Sequence, residues 1–469
     1  MTRTPSYTRP LPSHGLLAGL SSDEYAPPFP SRRHRAAIEL LDERAQHCAR
    51  RRGVPLVHYL AGRLGTAATL SSINSASGSP FYRVGASAAE DPDEAALQLG
   101  GNGVVIDVQT HFVAGHRVGL PGTDGVLHFI RDVAPDLFSG LPGEIDLSFA
   151  EFLRCVFLQS ETAVAVLTSA PGTDDINILS NPEIAGAREL TNRLAGYRRL
   201  LHHSIVHPNL DGELDAMGRI VERFRPDGFK VYTLYGDGRG GGWRLDDEDC
   251  GLPFLDRARE LGVGIICAHK GLSQLAPTGS PEDVGPAAAA FPDLNFLIYH
   301  SGYEVPRAAG DGEILEGEFP GGEASRLAGT DRLVASLRDH GIAPGSNVYA
   351  ELGSTWYLLA SRPEEAAHVL GKLLLAVGED NVLWGTDSVW YGSAQPLIDA
   401  FRAFHIPEEY QERFGYPALS DTAKDKILGL NAARVYGVDV QSARRAAQED
   451  DLGWLRLAVQ EFSRFEGGD

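Results

Sequence analysis

Eight short apolar segments recur along the chain and limit the folds that it can adopt. They lie at residues 104–108, 163–167, 201–206, 229–232, 263–267, 296–299, 348–351 and 382–384. Helix-like stretches follow several of them, at residues 214–224, 254–261, 331–340 and 364–377. Apolar runs that alternate with helices are typical of parallel strands buried on both faces. The sequence therefore predicts an α/β fold, a (β/α)8 TIM barrel. Because no GxGxxG motif follows the first segment, an open dinucleotide-binding sheet is disfavoured.

The 469 residues suffice for one large barrel with an extension. We expect residues 1–100 to form an N-terminal extension. It is partly flexible, because residues 1–30 are rich in Pro, Ser and Thr, and partly helical, because residues 33–52 have regular apolar spacing. The predicted barrel spans residues 101–440, and residues 441–469 form a C-terminal helical tail.

The charge and hydropathy of the chain exclude two classes of partner. Asp and Glu number 63 against 42 Lys and Arg, which gives a formal net charge of −21. Such a field repels a phosphate backbone, so we expect no nucleic-acid partner. No run of 18 uninterrupted apolar residues occurs, and we expect no membrane-spanning helix.

The number and spacing of the cysteines indicate the redox state of the cellular compartment in which the protein is found. The four residues are widely spaced and form no CxxC pair: Cys48, Cys155, Cys250 and Cys267. This spacing argues against a zinc ribbon or a disulfide framework and favours a reducing cytoplasm. Three arginines at 50–52 precede an apolar stretch, as in a twin-arginine export signal, but His58 and Arg63 interrupt it. We interpret this segment as a vestigial signal or an ordinary helix.

Polar side chains follow five of the predicted strands. Six of them are candidate metal ligands: Gln109, His111, His269, His300, Glu351 and Asp387. The carboxyl ends of the strands of such a barrel meet at one mouth, and imidazole and carboxylate groups suit zinc, iron or manganese. Each residue alone could be a hydrogen-bonded structural group. Three histidines and two carboxylates at equivalent positions favour a metal site.

Four further residues are candidates for the chemistry at the mouth. Lys230 lies inside an apolar strand, where an unpaired ammonium would be costly, so it needs a partner such as a carboxylate or a substrate anion. Lys270, Tyr303 and Trp356 lie near predicted mouth loops and are candidate substrate contacts. The two aromatic residues could equally be packing residues, and either lysine could pair with Glu351 or Asp387.

These motifs together resemble the amidohydrolase superfamily over residues 104–437. They are a DxHxH-like segment on the first strand, GFKVY, ICAHKG, IYHSGYE, LWGTDS and ILGLNAARVYG. The resemblance implies that His111, His269, His300 and Asp387 bind metal. It also places Lys230 at the position of a catalytic lysine that some relatives carbamylate. The implied activity is zinc-dependent hydrolysis or decarboxylation of a small carboxylated or cyclic substrate.

Gln109 departs from that pattern, because the superfamily has a histidine at this position. A neutral amide is a weak ligand, whereas hydrolysis relies on a strongly Lewis-acidic ion that generates hydroxide. Histidines combined with Glu351 and Asp387 form a mixed donor set that is associated with non-haem iron. The position therefore raises doubt about hydrolysis.

The chain also resembles a smaller group with this fold, the non-haem diiron monooxygenases of platensimycin and platencin diterpenoid biosynthesis. That resemblance implies two iron ions, O2 as co-substrate, an external electron donor and hydroxylation of an unactivated C–H bond in a CoA-linked diterpenoid. Lys270 would then contact the phosphates of the acyl-CoA substrate. We expect this oxidoreductase activity, with the zinc hydrolase or decarboxylase as the alternative. A non-catalytic scaffold whose metal site is lost is a third hypothesis, and a homo-oligomer stays open.

Overall fold

Eight parallel strands form one sheet in sequential order, as the sequence predicts. The computed structural model describes residues 15–20, 22, 25, 30–117, 146–172, 177–234, 242–272, 277–304 and 329–466. The strands are β1 Val105–Thr110, β2 Thr162–Leu167, β3 Leu200–Ile205, β4 Gly228–Tyr232, β5 Ile265–His269, β6 Asn295–Tyr299, β7 Val348–Glu351 and β8 Val382–Leu383. All eight coincide with the predicted segments to within two residues.

Hydrogen bonds between β1 and the chain that follows β8 bring the two edges of the sheet together. Val108 N donates to Trp384 O at 3.0 Å, and Asp387 N donates to Gln109 O at 2.9 Å. Thr110 also forms a parallel bridge with Ser388. The fold is therefore the predicted (β/α)8 barrel, and these bonds place the end of β1 beside the end of β8.

Helices surround the sheet. In the described residues they are α1 Arg32–Arg52, α2 Leu56–Ala61, α3 Arg63–Ser77, α4 Pro92–Leu99, α5 Phe149–Leu153, α6 Asn181–Ala195, α7 Glu213–Phe224, α8 Gly251–Glu260, α9 Val284–Ala290, α10 Gly329–Asp339, α11 Thr355–Ala360, α12 Pro363–Ala376, α13 Gln395–Ala403, α14 Glu408–Phe414, α15 Asp421–Asp425, α16 Asn431–Tyr436, α17 Val440–Glu449 and α18 Asp451–Glu466. The four helical stretches predicted at 214–224, 254–261, 331–340 and 364–377 correspond to α7, α8, α10 and α12.

The described part of the N-terminal extension packs on the barrel helices. Arg63 Nε, at the start of α3, lies 3.2 Å from Asp399 Oδ2 on α13. Tyr82 Oη donates to Ala360 O at the end of α11. The arginine run before residue 53 ends α1, and the apolar stretch behind it forms α2 and α3, so the segment is helical as expected. Most of the flexible arm predicted at residues 1–30 lies outside the described residues.

Two apolar cores hold the barrel together. The inner one combines strand residues such as Ile106, Leu201 and Leu297 with Tyr436 of α16. The outer one lies between the strands and the helices. The C-terminal helices are tied to the barrel by a buried ion pair, in which Arg199 Nη1 lies 2.7 Å from Asp450 Oδ2. All four cysteines are free and buried. Across the described ranges, no helix has the length and apolar character needed to cross a membrane.

Candidate active site

The ends of β1 and β8 meet around the carboxylate of Asp387. Gln109 Nε2 donates to Asp387 Oδ1 at 2.9 Å, and His111 Nε2 lies 3.0 Å from the same oxygen. All three side chains are buried. The closure of the barrel by the bonds between β1 and the segment after β8 is what sets this juxtaposition, since Asp387 N is held by Gln109 O.

The orientation of the two histidine rings leaves their Nε2 atoms directed at this cluster. His111 Nδ1 lies 3.2 Å from Thr168 O, and His300 Nδ1 lies 2.7 Å from Gly353 O. Because a carbonyl oxygen can only accept, each Nδ1 carries the proton. His300 Nε2 then faces Gln109 Nε2 at 3.5 Å, while His111 Nε2 faces a carboxylate oxygen. A backbone carbonyl at one ring nitrogen is the usual support of a metal-binding histidine.

His300 stands on a strained turn directly after β6. It has a φ of 65°, and Ser301 after it has a φ of 53°; both lie in the left-handed region that non-glycine residues rarely adopt. Ser301 Oγ donates to Glu351 O at 2.6 Å, and Thr355 Oγ1 donates to His300 O at 2.9 Å. These hydrogen bonds hold the turn in its left-handed conformation. Strain of this kind persists where neighbouring structure enforces it, and it is common at active sites.

Glu351, at the end of β7, lies beside the amide of Gln109. Its Oε2 accepts from His300 N at 3.1 Å, and its Oε1 accepts from Gly353 N at 2.6 Å. Burial nevertheless raises the pKa of Glu351 to about 8, because desolvation of the charged form outweighs these bonds. In the metal-free protein this shift favours the protonated carboxyl group at neutral pH.

Two glycines allow this close packing. A Cβ at Gly353 would lie 2.2 Å from Gln109 Oε1 and 2.7 Å from Glu351 Oε1, and one at Gly385 would lie 1.7 Å from Glu351 Oε1. Gln109 Oε1 is buried and has no hydrogen-bond partner among the described residues. The oxygen is thus available to a ligand.

Asp107 supports the end of β8 from beneath the cluster. Its Oδ1 accepts from Thr386 N at 3.0 Å and from Gln109 N at 3.2 Å, while Oδ2 accepts from Thr386 Oγ1 at 2.5 Å. Burial raises the pKa of Asp107 to about 7, with the hydrogen bonds opposing that shift. The sequence motifs on β1 and β8 contained both residues, but neither was selected as a site residue.

His269 and Lys230 lie next to the cluster inside the barrel. The His269 ring makes an edge contact with His300 at a centroid distance of 4.7 Å and stacks on Tyr232 at 5.2 Å. Lys230 Nζ lies 3.7 Å from the centroid of the Tyr299 ring and 4.6 Å from that of Tyr232. Aromatic faces of this kind stabilise a buried ammonium through cation–π interaction. A catalytic role for Lys230 stays a prediction.

The three predicted substrate contacts are all buried. Lys270 Nζ pairs with Asp283 Oδ2 at 2.6 Å and donates to Thr278 O at 2.9 Å. Tyr303 Oη donates to Glu365 Oε1 at 2.8 Å. Trp356 Nε1 donates to Leu397 O at 3.0 Å, and its ring packs edge-on against the rings of Phe401 and Phe404. These contacts give each residue a role within the protein, and substrate contact stays a prediction.

A hydrogen-bonded series that the sequence analysis missed approaches Asp387 from its other side. Ser354 Oγ donates to Asp387 Oδ2 and also contacts Tyr391 Oη. Tyr391 Oη in turn lies 3.0 Å from Tyr25 Oη. Ser354 follows Glu351 closely and could have been found from the strand-end rule, whereas no local signal points to Tyr25.

The superfamily resemblance implies a bound metal, and the cluster around Asp387 contains side chains that could hold one. No group of three or more His, Cys, Asp or Glu side chains in the described parts of the chain is close enough to hold an ion as the side chains stand. The cluster nevertheless offers Asp387 Oδ1 and the Nε2 atoms of His111 and His300, and the Gln109 amide can turn its partnerless oxygen toward them. Imidazole, carboxylate and amide oxygen donors suit a divalent ion such as zinc or manganese. The donor types therefore suit one divalent ion once the side chains adjust around it, and the assignment of these residues as ligands stays a prediction.

Residues 187–438 match a family model described as Amidohydrolase. No curated protein matches the chain. The match covers more than half of the chain and includes the predicted Lys230, His269, His300, Glu351 and Asp387.

Solved structures with a similar arrangement include three decarboxylases. 5-Carboxyvanillate decarboxylase from Sphingomonas paucimobilis is 16% identical with a TM-score of 0.40, and the alignment covers 72% of this chain and 100% of that one. 2,6-Dihydroxybenzoate decarboxylase from Rhizobium is 17% identical with a TM-score of 0.39, covering 72% and 100%. A dihydroxybenzoic acid decarboxylase from Polaromonas, solved with bound manganese and an inhibitor, is 16% identical with a TM-score of 0.41, covering 72% and 98%. Because the sequence identities and TM-scores are this low, these structures carry no argument about function. The functional argument rests on the family match and on the residues of the site.

The expected diterpenoid monooxygenase is wrong, because the family match is to amidohydrolases and not to an oxidoreductase. The geometry gives a physical reason. Diiron sites are built largely from carboxylates that hold both ions, whereas both oxygens of Glu351 are already engaged by backbone N–H groups, which leaves Asp387 as the other carboxylate among the predicted ligands. The two irons and O2 expected with that activity have no support in the family match, and the electron donor and acyl-CoA substrate stay untested predictions.

Proposed function

The chain belongs to the amidohydrolase family, and on that premise we propose that it is a metal-dependent hydrolase or decarboxylase of a small carboxylated or cyclic substrate. The alternative of a scaffold with a lost metal site is disfavoured, because the buried donor set around Asp387 is intact apart from Gln109. A small molecule is the partner that we propose.

One observation supports this proposal above the others. The Nε2 atoms of His111 and His300 are directed into one buried cluster by carbonyl oxygens at their Nδ1 atoms. The cluster also contains Asp387 Oδ1, which takes contacts from both Gln109 and His111. A divalent cation at this place would take both imidazole nitrogens and the carboxylate oxygen as ligands.

His111, His300, Asp387 and Gln109 would hold the ion, with His269 as the neighbouring imidazole. When bound, a divalent ion supplies a Lewis acid that polarises a substrate oxygen or lowers the pKa of a bound water. The barrel side chains exclude bulk water around it, since the cluster is buried. Burial strengthens the electrostatic interactions of the site with a charged substrate.

Glu351 provides the proton for the reaction in this proposal. In the metal-free protein burial raises the pKa of this carboxyl group to about 8, so the group can carry a proton near neutral pH. Decarboxylation leaves an electron pair on carbon that takes up a proton, and hydrolysis requires a proton for the leaving group. Backbone N–H groups of His300 and Gly353 fix the carboxyl group and stabilise its anion after the proton is transferred. This assignment differs from the metal-ligand role predicted for Glu351 from the sequence.

The test is restoration of activity to metal-depleted protein. Mn²⁺ or Zn²⁺ is added back to chelator-treated enzyme, which is then assayed against hydroxylated aromatic carboxylates for CO2 release and against cyclic esters for ring opening. We expect one panel to be turned over only after an ion is restored. His300→Ala should lose this response, whereas His47→Ala, which changes an exposed histidine on α1, should keep it. Metal-independent turnover, or no turnover of either panel with metal bound, would contradict the proposal.

A further inference from the structure

A segment from outside the barrel reaches the candidate site. Leu16 and Leu17 are buried on the barrel, as is Tyr25. Tyr357 of α11 anchors the segment, because its hydroxyl accepts from Leu20 N at 2.8 Å and donates to Gly15 O at 3.3 Å. The described part of residues 15–25 is thus docked by specific polar contacts as well as by burial.

Three hydroxyl groups link this segment to Asp387. Tyr25 Oη lies 3.0 Å from both Leu20 O and Tyr391 Oη, and its single proton can be donated to either oxygen. Tyr391 Oη contacts Ser354 Oγ, which donates to Asp387 Oδ2. The Tyr391 ring is itself held by parallel stacking on Tyr357, with centroids 4.0 Å apart and an angle of 10° between the planes. The series is buried throughout, so water does not substitute for a missing member.

The series contacts the carboxylate oxygen of Asp387 that Gln109 and His111 do not contact. Gln109 and His111 both contact Oδ1, whereas Ser354 contacts Oδ2. Asp387 also has a φ of 61°, so its backbone is held in a conformation that needs support from its surroundings. The plane of the carboxylate is therefore set by two independent groups of contacts, one on each oxygen.

We propose that Tyr25 is a positioning residue of the active site, which acts through Tyr391 and Ser354 to orient the Asp387 carboxylate. The N-terminal segment is then part of the site, although it lies about 360 residues from Asp387 along the chain. This inference rests on the proposed metal-dependent function, because orientation of Asp387 matters chiefly for holding an ion. Removal of a group that supports a metal ligand typically weakens metal binding by about 10–100-fold.

The experiment measures Mn²⁺ affinity of the full-length chain by isothermal titration calorimetry. Tyr25→Phe keeps the ring and removes only the hydroxyl group, and we expect the Kd for Mn²⁺ to rise roughly tenfold. Tyr59→Phe is the matched control. Tyr59 is a buried tyrosine of the same extension whose hydroxyl donates to Ala89 O at 2.7 Å, away from the site, so its loss should leave the Kd unchanged.

A double-mutant comparison separates positioning from a general structural effect. If Tyr25 acts through Ser354, adding Tyr25→Phe to Ser354→Ala should raise the Kd no further than Ser354→Ala alone. Effects that multiply would overturn the proposed route, and equal Mn²⁺ affinity of Tyr25→Phe and wild type would overturn the inference while leaving the proposed function intact. Wild-type protein that binds neither Mn²⁺ nor Zn²⁺ would overturn both.

Discussion

Glu351 makes the free energy of unfolding of the metal-free protein fall as the pH rises. Most carboxylates, whose pKa is lowered on folding, have the opposite effect. The pKa of Glu351 is raised from the usual 4.5 to about 8 by burial. In the unfolded chain the group ionises above pH 4.5, whereas in the folded protein it stays protonated up to about pH 8. Its stabilising contribution is therefore complete below pH 4.5 and is lost as the pH rises through 8.

The size of this effect follows from the shift. A difference of one pKa unit corresponds to about 1.4 kcal/mol, so a shift from 4.5 to about 8 corresponds to about 5 kcal/mol in all. Between pH 5.5 and 7.5 unfolding releases nearly one proton from this group. The free energy of unfolding should consequently fall by about 1.4 kcal/mol per pH unit because of Glu351.

The assay is urea unfolding of chelator-treated protein at several pH values, with wild type compared with Glu351→Gln. The amide cannot ionise and keeps the shape of the carboxyl group. The wild-type unfolding free energy should therefore fall more steeply with pH than that of the variant, by about 1.4 kcal/mol per unit. Asp107, whose pKa burial raises to about 7, contributes a similar fall to both proteins and cancels in the difference. Parallel pH profiles would refute the protonated state of Glu351.

Three further changes test the contacts of the site. Gln109→His replaces a neutral amide oxygen by an imidazole and should tighten Mn²⁺ binding, roughly tenfold, in a calorimetric titration; unchanged affinity and turnover would mean that position 109 does not face the ion. Gly385→Ala places a Cβ 1.7 Å from Glu351 Oε1 and should lower the unfolding free energy by about 1–3 kcal/mol in urea; an unchanged value would contradict the packing. Lys270→Met leaves the buried Asp283 carboxylate without its partner and should cost about 3–5 kcal/mol, which Asp283→Asn should partly restore. A raised KM with unchanged stability would instead support Lys270 as a substrate contact.

The barrel and the ring of strand-end residues could be predicted because both depend on local patterns. An apolar run with a helix behind it forms a buried parallel strand wherever it lies, and the polar residue at its end then faces the mouth. His111, His300 and Asp387 were found in this way and do meet in one cluster.

The direction of individual side chains could not be predicted in the same way. Lys270 follows β5 directly, yet its ammonium turns to Asp283, 13 residues further along the chain. Trp356 turns into the contact with α13. Tyr25 reaches Tyr391 over 366 residues, and no spacing rule connects two such distant positions.

The prediction of a monooxygenase was wrong, because it took Gln109 as a sign of a redox metal. One neutral ligand changes the charge at a metal, but it does not select a redox ion over a Lewis acid. The two backbone N–H groups that engage the oxygens of Glu351 belong to the turns after β6 and β7, and the residue pattern does not show these contacts.

The metal content of the purified protein shows whether the cluster around Asp387 is a metal site. Elemental analysis of wild type should find about one zinc or manganese ion per chain. His111→Ala, which removes the imidazole nitrogen 3.0 Å from Asp387 Oδ1, should lose this ion and keep the unfolding temperature of chelator-treated wild type to within a few degrees. A wild-type protein without bound metal, or a variant that retains the full metal content, would contradict the account.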